Sequence, residues 1–251
     1  MEKIKIKNSL DKNIVGVIHR PKIKTEKLAI LCPGFLDTKD YPHLVDLASK
    51  LAQQGYTAVR FDPSGTWESE GDISEYLTSQ YLKDIGSVLD YMLSESKYTH
   101  VLLGGHSRGG QVSLLYAARD SRISVVLGIM PSQGPFEGKR RDDWEKSRVS
   151  VSLRDTPENY EEKKKFRVPF QHVLDRDQFH VLDDMKKIKA RVILIAGELD
   201  VLVPPESVQK LFENANEPKK FITVAGVDHE YRHKPADIEK VNLAALKEVL
   251  A

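Results

Sequence analysis

The stretch from Gly105 to Gly109, Gly-His-Ser-Arg-Gly, constrains the fold more than any other part of this sequence. It lies between an apolar run at 101–103 and an amphipathic segment at 111–118, which predicts a sharp turn from a strand into a helix. The two glycines remove Cβ atoms where strand and helix must approach closely. Such a turn would expose the Ser107 hydroxyl and place the backbone N–H of Arg108 at a helix N-terminus, where negative charge is favoured.

Apolar segments alternate with amphipathic ones along most of the chain. Buried strands are predicted at 28–32, 57–61, 101–103, 125–130, 192–195 and 221–224, and helices at 42–54, 76–94, 111–118, 205–212 and 236–250. Ile4 and Ile6 alternate with lysines, which predicts an antiparallel hairpin at one edge of the sheet. This alternation predicts an α/β fold, with a mostly parallel central sheet flanked by helices on both faces, in a single domain over residues 1–251.

Residues 133–187 interrupt the alternation of strands and helices. They are polar and highly charged, and they are too numerous for an ordinary connection between neighbouring elements. Within them, 150–153 and 166–168 are predicted to pair as a short hairpin, and 173–185 to form a helix that returns to the main domain. We therefore expect residues 133–187 to be an inserted cap.

Composition limits the classes of partner. The chain has 38 basic and 37 acidic residues, so its net charge of +1 gives no electrostatic surface for nucleic acid or an anionic membrane. A small, near-neutral molecule is the expected partner, and a homodimer is left open. Cys32 is the sole cysteine, which excludes an internal disulfide, and the N-terminal residues do not resemble a signal peptide. The expected location is the cytoplasm.

Two polar residues follow late strands, in the chain order that a serine nucleophile needs. Asp200 comes just after the strand at 192–196, and His229 comes just after the last strand. A serine hydroxyl is a weak nucleophile unless a base accepts its proton, and a third group must hold that base. The order Ser, Asp, His fits this topology. Asp228 and Glu198 are the competing candidates for the third group, and Asp200 is favoured over both.

The remaining histidines give little indication of a metal site. His229 and His233 are four residues apart, but Pro235 argues against a continuous helix there, and no third ligand follows at a recognisable spacing. We expect no metal and no cofactor. His106 is expected to pack beside the serine, and His172 and His180 to lie on the surface unless they line a pocket.

Two other features are interpreted as structural. Cys32 is expected to fill space in a buried strand. The basic run Lys139 to Arg141 is balanced by nearby acidic residues, so a solvated surface is expected there.

The chain resembles the α/β-hydrolases, and more narrowly the bacterial cinnamoyl and feruloyl esterase-like group. The residues that carry this resemblance are Pro33-Gly34-Phe35, Asp62 with 65–71, the stretch at 105–109, 197–204 and 226–229. The resemblance implies Ser107 as nucleophile, His229 as general base and Asp200 as the residue that orients it. It also implies that the backbone N–H groups of Phe35 and Arg108 form the oxyanion hole. The chain departs from many relatives at Pro33, where they have His, and at 63–67, where they have Arg-Gly-His-Gly.

These features predict a serine carboxylic-ester hydrolase that acts on small soluble esters, with aromatic acyl esters among the candidates. The same residues would also serve a thioesterase or an aminopeptidase-like acyl hydrolase, because all acyl transfer uses the same machinery. A non-catalytic binding protein with this fold is the alternative outside enzymes.

Overall fold

The computed structural model describes all 251 residues. The strands are β1 Glu2–Lys7, β2 Asn13–His19, β3 Lys27–Cys32, β4 Thr57–Phe61, β5 His100–His106, β6 Val125–Ile129, β7 Val149–Asp155, β8 Lys163–Pro169, β9 Arg191–Gly197 and β10 Lys219–Val224. The helices are α1 Pro42–Gln53, α2 Thr78–Glu95, α3 Arg108–Ala117, α4 Gly138–Ser147, α5 Gln171–Arg176, α6 Val181–Asp184, α7 Pro205–Asn214 and α8 Pro235–Leu250. Short 3₁₀ helices lie at 73–75, 185–187 and 231–233.

Eight of the strands form one sheet in the order β1-β2-β4-β3-β5-β6-β9-β10. The six strands from β4 to β10 in this order are parallel, and β1 and β2 run antiparallel at one edge. The predicted α/β fold and the predicted edge hairpin are therefore confirmed. Because parallel strands end at the same edge of a sheet, the loops after β3, β5, β9 and β10 come together there.

The sheet is covered by apolar layers on both faces. In β3, Ile30 packs into one layer with Leu103 of β5, whereas Ala29 and Leu31 pack into the layer on the opposite face. Successive side chains of a strand point to opposite faces, so a strand covered on both sides must be apolar throughout. This explains why β3 reads as an uninterrupted apolar run. None of the helices is long and apolar enough to span a membrane.

Residues 133–187 leave the main sheet after β6 and return before β9. They contain α4, the antiparallel pair β7 and β8, α5 and α6. The pairing of Ser150 with Val168 and of Ser152 with Phe166 agrees with the predicted hairpin. The single helix predicted over 173–185 is wrong, because α5 ends at Arg176 and α6 begins only at Val181. A row of charged residues at 175–177 obscured this break in the pattern.

Candidate active site

The turn between β5 and α3 holds Ser107 in a backbone conformation that is unusual for serine, with φ of 54° and ψ of −116°. The glycines on either side are required by contact with β3. A Cβ atom at Gly105 would lie 2.2 Å from the Cys32 carbonyl oxygen, and one at Gly109 would lie 2.0 Å from the same atom. Strand β3 thus forces glycine at both positions, and the turn presents the Ser107 hydroxyl at the sheet edge.

The side chains of Ser107, His229 and Asp200 form a continuous hydrogen-bonded chain. The Ser107 Oγ lies 2.9 Å from His229 Nε2, and His229 Nδ1 lies 2.6 Å from Asp200 Oδ2. Asp200 and His229 are both buried. Their positions follow from the sheet, because Asp200 lies beyond β9 and His229 beyond β10, which are neighbouring parallel strands. With Nδ1–H donating to the carboxylate, Nε2 is free to accept a proton from Ser107.

Asp200 is fixed by its own loop. Its Oδ1 accepts hydrogen bonds from the backbone N–H groups of Leu202, at 2.9 Å, and Val203, at 2.8 Å. The two competing carboxylates have other partners: Asp228 pairs with Lys234, and Glu198 accepts from the Gly226 N–H. Of the three acidic residues considered from the sequence, Asp200 alone contacts His229.

The loop after β3 presents a free donor beside Ser107. The backbone N–H of Phe35 has no acceptor within the protein. Arg108 is the first residue of α3, so its N–H has no acceptor within the helix. Both N–H groups are thus free to donate, and they belong to a residue that lines the cavity, Phe35, and to the residue that follows Ser107 in the chain.

Side chains from three other segments hold the loop at Phe35. Arg154 of β7 donates to the Phe35 carbonyl oxygen from Nε at 3.2 Å and from Nη2 at 2.9 Å. The Trp67 Nε1–H donates to the Leu36 carbonyl at 3.0 Å, and the Leu36 N–H donates to the Tyr76 hydroxyl at 3.1 Å. Leu36 has a positive φ of 58°. The loop therefore depends on contacts from outside the sheet, one of them from the 133–187 segment.

Two buried histidines, His106 and His43, lie close to His229. His106 has its ring 4.7 Å from that of His229, and the ring of His43 is 5.5 Å from that of His106. Burial lowers the pKa of His43 to about 4 and that of His106 well below its usual range, so both rings are neutral at pH 7. Both are buried, as expected for His106 from the sequence.

Asp37, His43 and His106 are the residues best placed to hold a metal, with ligand atoms within 4.8 Å of one another. His229 and His233, the pair considered from the sequence, contact different groups. His233 Nε2 lies 3.2 Å from an Asp155 carboxylate oxygen. His229 instead contacts Ser107 and Asp200.

A cavity of about 410 Å³ opens over Ser107 and His229. Its wall includes residues of the 133–187 segment, namely Gln133, Gly134, Pro135, Phe136, Arg140, Arg154 and Arg176. Arg140 is exposed, as expected from the sequence for 139–141, and it also lines this cavity. The expectation of a surface position is wrong for His172, which is buried with its Nδ1 2.7 Å from the Tyr76 carbonyl oxygen. Sequence reasoning missed Arg154 and Arg176 altogether, because nothing in a charged, irregular segment indicates which side chains turn inward.

Comparison with known proteins agrees with the fold described above. The family model of the alpha/beta hydrolase fold matches residues 28–142. The structure of Est1E from Butyrivibrio proteoclasticus with bound ferulic acid superposes with a TM-score of 0.77 at 22% identity, covering 99% of this chain and all of that one.

Two further relatives are named for an activity or a fold. Mouse mitochondrial palmitoyl-protein thioesterase ABHD10 is 24% identical over 189 residues, which is 70% of this chain and 59% of that protein. The chain thus matches less than two thirds of the length of this relative. The α/β hydrolase GrgF from Penicillium has a TM-score of 0.82 at 18% identity, covering 98% of each chain, and the polyketide transferase grgF is 24% identical over 80% of each sequence. At these identities the likeness establishes the fold. The chain is therefore a protein of the α/β-hydrolase fold, and its structural likeness to Est1E covers 99% of its length.

Proposed function

We propose that this protein is a serine carboxylic-ester hydrolase that acts on small esters through an acyl-enzyme. The observation that carries the proposal is the hydrogen-bonded chain from Ser107 through His229 to Asp200, at 2.9 and 2.6 Å. A serine paired with an imidazole, which is in turn oriented by a carboxylate, is the arrangement that activates a hydroxyl as a nucleophile. The cavity above it is of a size that suits a small molecule.

In the proposed reaction, Ser107 Oγ attacks the ester carbonyl while its proton passes to His229 Nε2. The carbonyl oxygen becomes an oxyanion and accepts hydrogen bonds from the Phe35 and Arg108 N–H groups. When the tetrahedral intermediate collapses, His229 returns the proton to the leaving alcohol and the acyl group remains on Ser107. A water molecule, deprotonated by His229, then attacks the acyl-enzyme, releases the acid and restores the Ser107 hydroxyl. The 133–187 segment acts as a cap in this scheme, because it supplies one wall of the cavity.

A thioesterase is the second candidate, favoured by the likeness to a palmitoyl-protein thioesterase. An aminopeptidase-like acyl hydrolase would use the same residues. Initial rates with an ester, a thioester and an amide of the same acyl group separate these possibilities. An ester hydrolase should show the largest ratio of enzymatic to uncatalysed rate with the oxygen ester. A non-catalytic binding protein turns over none of the three.

The test of the proposal compares wild type with Ser107→Ala on p-nitrophenyl acetate, butyrate and decanoate and on methyl ferulate. Ser121→Ala, at an exposed position far from the cavity, is the matched control. We expect wild type and the control to hydrolyse at least one of these esters and Ser107→Ala to fall to the uncatalysed background. The ranking of the four esters then gives the preference for short, long or aromatic acyl groups. Wild-type activity retained by Ser107→Ala would overturn the assignment of the nucleophile.

A further inference from the structure

One side of the cavity carries arginines without acidic partners. Arg176 is only 5% exposed, yet its guanidinium group donates no hydrogen bond within the protein and forms no ion pair. Arg140, on the same wall, has neither a hydrogen bond nor an ion pair either. Both guanidinium groups lie against the Phe136 ring, at 4.5 Å from its centroid for Arg176 and 4.7 Å for Arg140. This contact fixes their position and leaves the N–H groups at their edges free.

A third cation lies nearby. Arg108 is fully buried, and its guanidinium group lies 5.2 Å from the centroid of the Tyr76 ring. Its Nη2 donates to the Thr78 hydroxyl at 3.2 Å, whereas its Nε and Nη1 have no partner. Because buried polar groups in proteins are almost always hydrogen-bonded, unpaired N–H groups on Arg108 and Arg176 in one region call for a ligand.

The carboxylates of the region are all engaged elsewhere. Asp175 accepts from Ser79, and Asp177 pairs with Arg141. The two acidic residues that line the cavity, Asp37 and Glu230, lie on the other side, where both face Arg232. Asp177 acts on Arg176 only through its charge, and no acidic side chain forms an ion pair with Arg140 or Arg176.

Leaving Arg176 unpaired is costly because it is buried, whereas Arg140 is exposed to solvent. Burial, with Arg108 and Arg140 close by, lowers the pKa of Arg176 to about 9, so it is still charged at pH 7. A buried charge without a partner destabilises the folded protein, and an anion bound between the guanidinium groups would remove this penalty. Planar guanidinium groups with free N–H edges suit a carboxylate best, because each can donate two parallel hydrogen bonds to it.

We propose that Arg176 and Arg140 form a carboxylate-binding subsite, with Arg108 reinforcing its positive charge, so that the substrate is an ester that carries a free carboxylate. This inference rests on the proposed function, because the subsite and Ser107 line the same cavity. The carboxylate belongs to either the acyl part or the alcohol part of the ester, and the test has one arm for each.

The test uses pairs of esters that differ in one charge, with acid release followed at constant pH and ionic strength. The acyl arm compares monoethyl adipate with ethyl hexanoate. The alcohol arm compares the butyrate ester of 4-hydroxybutanoate with butyl butyrate. The variants are Arg176→Gln and Arg140→Gln, and the matched control is Arg141→Gln, because Arg141 follows Arg140 on α4 but pairs with Asp177 away from the cavity.

We expect wild type to prefer the anionic ester of one pair, in kcat/KM, by about 10-fold or more, as for a hydrogen bond to a charged group. Arg176→Gln should reduce this ratio by about 10-fold, and Arg140→Gln should reduce it in the same direction. Arg141→Gln should leave the ratio unchanged. Arg176→Lys keeps the charge and should retain part of the preference, which separates the loss of the cation from misfolding. Equal rates within both pairs, or a ratio that neither glutamine variant changes, would overturn the subsite.

Binding to Ser107→Ala distinguishes failure of the subsite from failure of the proposed reaction. Calorimetric titration with monoethyl adipate and with ethyl hexanoate does not require turnover. Tighter binding of the anionic ester supports the subsite even if wild type hydrolyses no ester. Equal binding of the two, together with hydrolysis by wild type, overturns the subsite and leaves the hydrolase intact; the alcohol-arm pair is titrated in the same way.

Discussion

Two sets of polar side chains around the cavity differ in how far they are satisfied within the protein: Ser107, His229 and Asp200 on the sheet side, and Arg140 and Arg176 on the other. On the sheet side, Ser107, His229 and Asp200 are joined by hydrogen bonds, and Asp200 is also held by two backbone N–H groups. On the side of the 133–187 segment, Arg140 and Arg176 have no such partners. A group that completes its hydrogen bonds internally is organised before substrate binds, whereas a group that leaves them open gains its partners from the substrate.

This contrast divides chemistry from selectivity. The sheet side supplies a proton-transfer chain that any acyl substrate can use. In the proposed function, the arginine side takes no part in bond breaking and distinguishes one substrate from another by charge. Four predictions test this division, in order of decreasing expected effect.

Asp200→Asn should prevent His229 from accepting the Ser107 proton. The asparagine amide can donate to His229 Nδ1, which favours the tautomer with the proton on Nε2, so the ring can no longer accept the Ser107 proton. We expect kcat to fall by about 10⁴-fold, as for the same change in the triad of a chymotrypsin-type protease. Asp228→Asn, the same substitution at a half-buried residue paired with Lys234, is the control. A comparable loss of kcat in Asp228→Asn would show that Asp200 is not the residue that specifically orients His229.

The buried histidines behind Ser107 should make the fold sensitive to acid. Because the pKa of His43 is about 4 in the folded protein and 6.5 in the unfolded chain, the unfolded chain binds more protons between these pH values. The free energy of unfolding should therefore be highest above pH 6.5 and fall as the pH is lowered towards 4, by about 3 kcal/mol for His43 alone.

Urea unfolding of wild type and His43→Gln across this pH range measures the effect of His43. His19, whose pKa burial also lowers to about 4, adds to the decrease in both proteins. The decrease should be about 3 kcal/mol smaller in His43→Gln. Identical pH profiles would exclude His43 as the group responsible.

Arg154 belongs to the 133–187 segment but donates to the loop at Phe35, so its replacement should lower the rate of the reaction at Ser107. Arg154→Met removes both hydrogen bonds to the Phe35 carbonyl, so the Phe35 N–H is no longer held in position. We expect kcat to fall by about 10- to 100-fold. Because Arg154 positions the loop, the loss should appear in kcat more than in KM for a neutral ester. Arg167→Met, at an exposed position on β8, is the control, and equal kcat values in the two variants would contradict a positioning role.

The smallest expected effect is a change in the stability of the ligand-free protein when Arg176 is replaced. Arg176→Met replaces a buried, unpaired cation with an apolar side chain, so the ligand-free protein should become more stable by about 1 kcal/mol or more. Arg141→Met instead removes an ion pair and should not stabilise the protein. Thermal and urea unfolding without ligand measure both variants. A less stable Arg176→Met protein would show that this arginine has a structural role.

The sequence predicted the sheet side well because its signals are local. A glycine on each side of Ser107 reflects contact with the Cys32 carbonyl, and Asp200 and His229 each follow a strand with a clear apolar pattern. Once the strands are known to be parallel, these residues must meet at one edge.

The arginine side could not be predicted in the same way. Arg140 and Arg141 are adjacent and chemically identical, yet Arg140 lies against Phe136 and Arg141 pairs with Asp177. Which of them borders the cavity depends on how α4 packs, and this charged helix has no apolar stripe that would reveal its orientation. Net charge was equally uninformative, because a value of +1 for the whole chain conceals a local cluster of unpaired cations. The expectation of a near-neutral partner came from that average.

The proposed reaction requires Ser107 to be a nucleophile activated by His229 and Asp200. Labelling with a fluorophosphonate, followed by peptide mapping by mass spectrometry, examines this without knowledge of the natural substrate, because the reagent bonds covalently to activated serines. We expect one label per chain, at Ser107, with labelling abolished in Ser107→Ala and strongly slowed in Asp200→Asn. A folded wild-type protein that takes up no label, or takes it up at another serine, would overturn the assignment of Ser107 as the nucleophile.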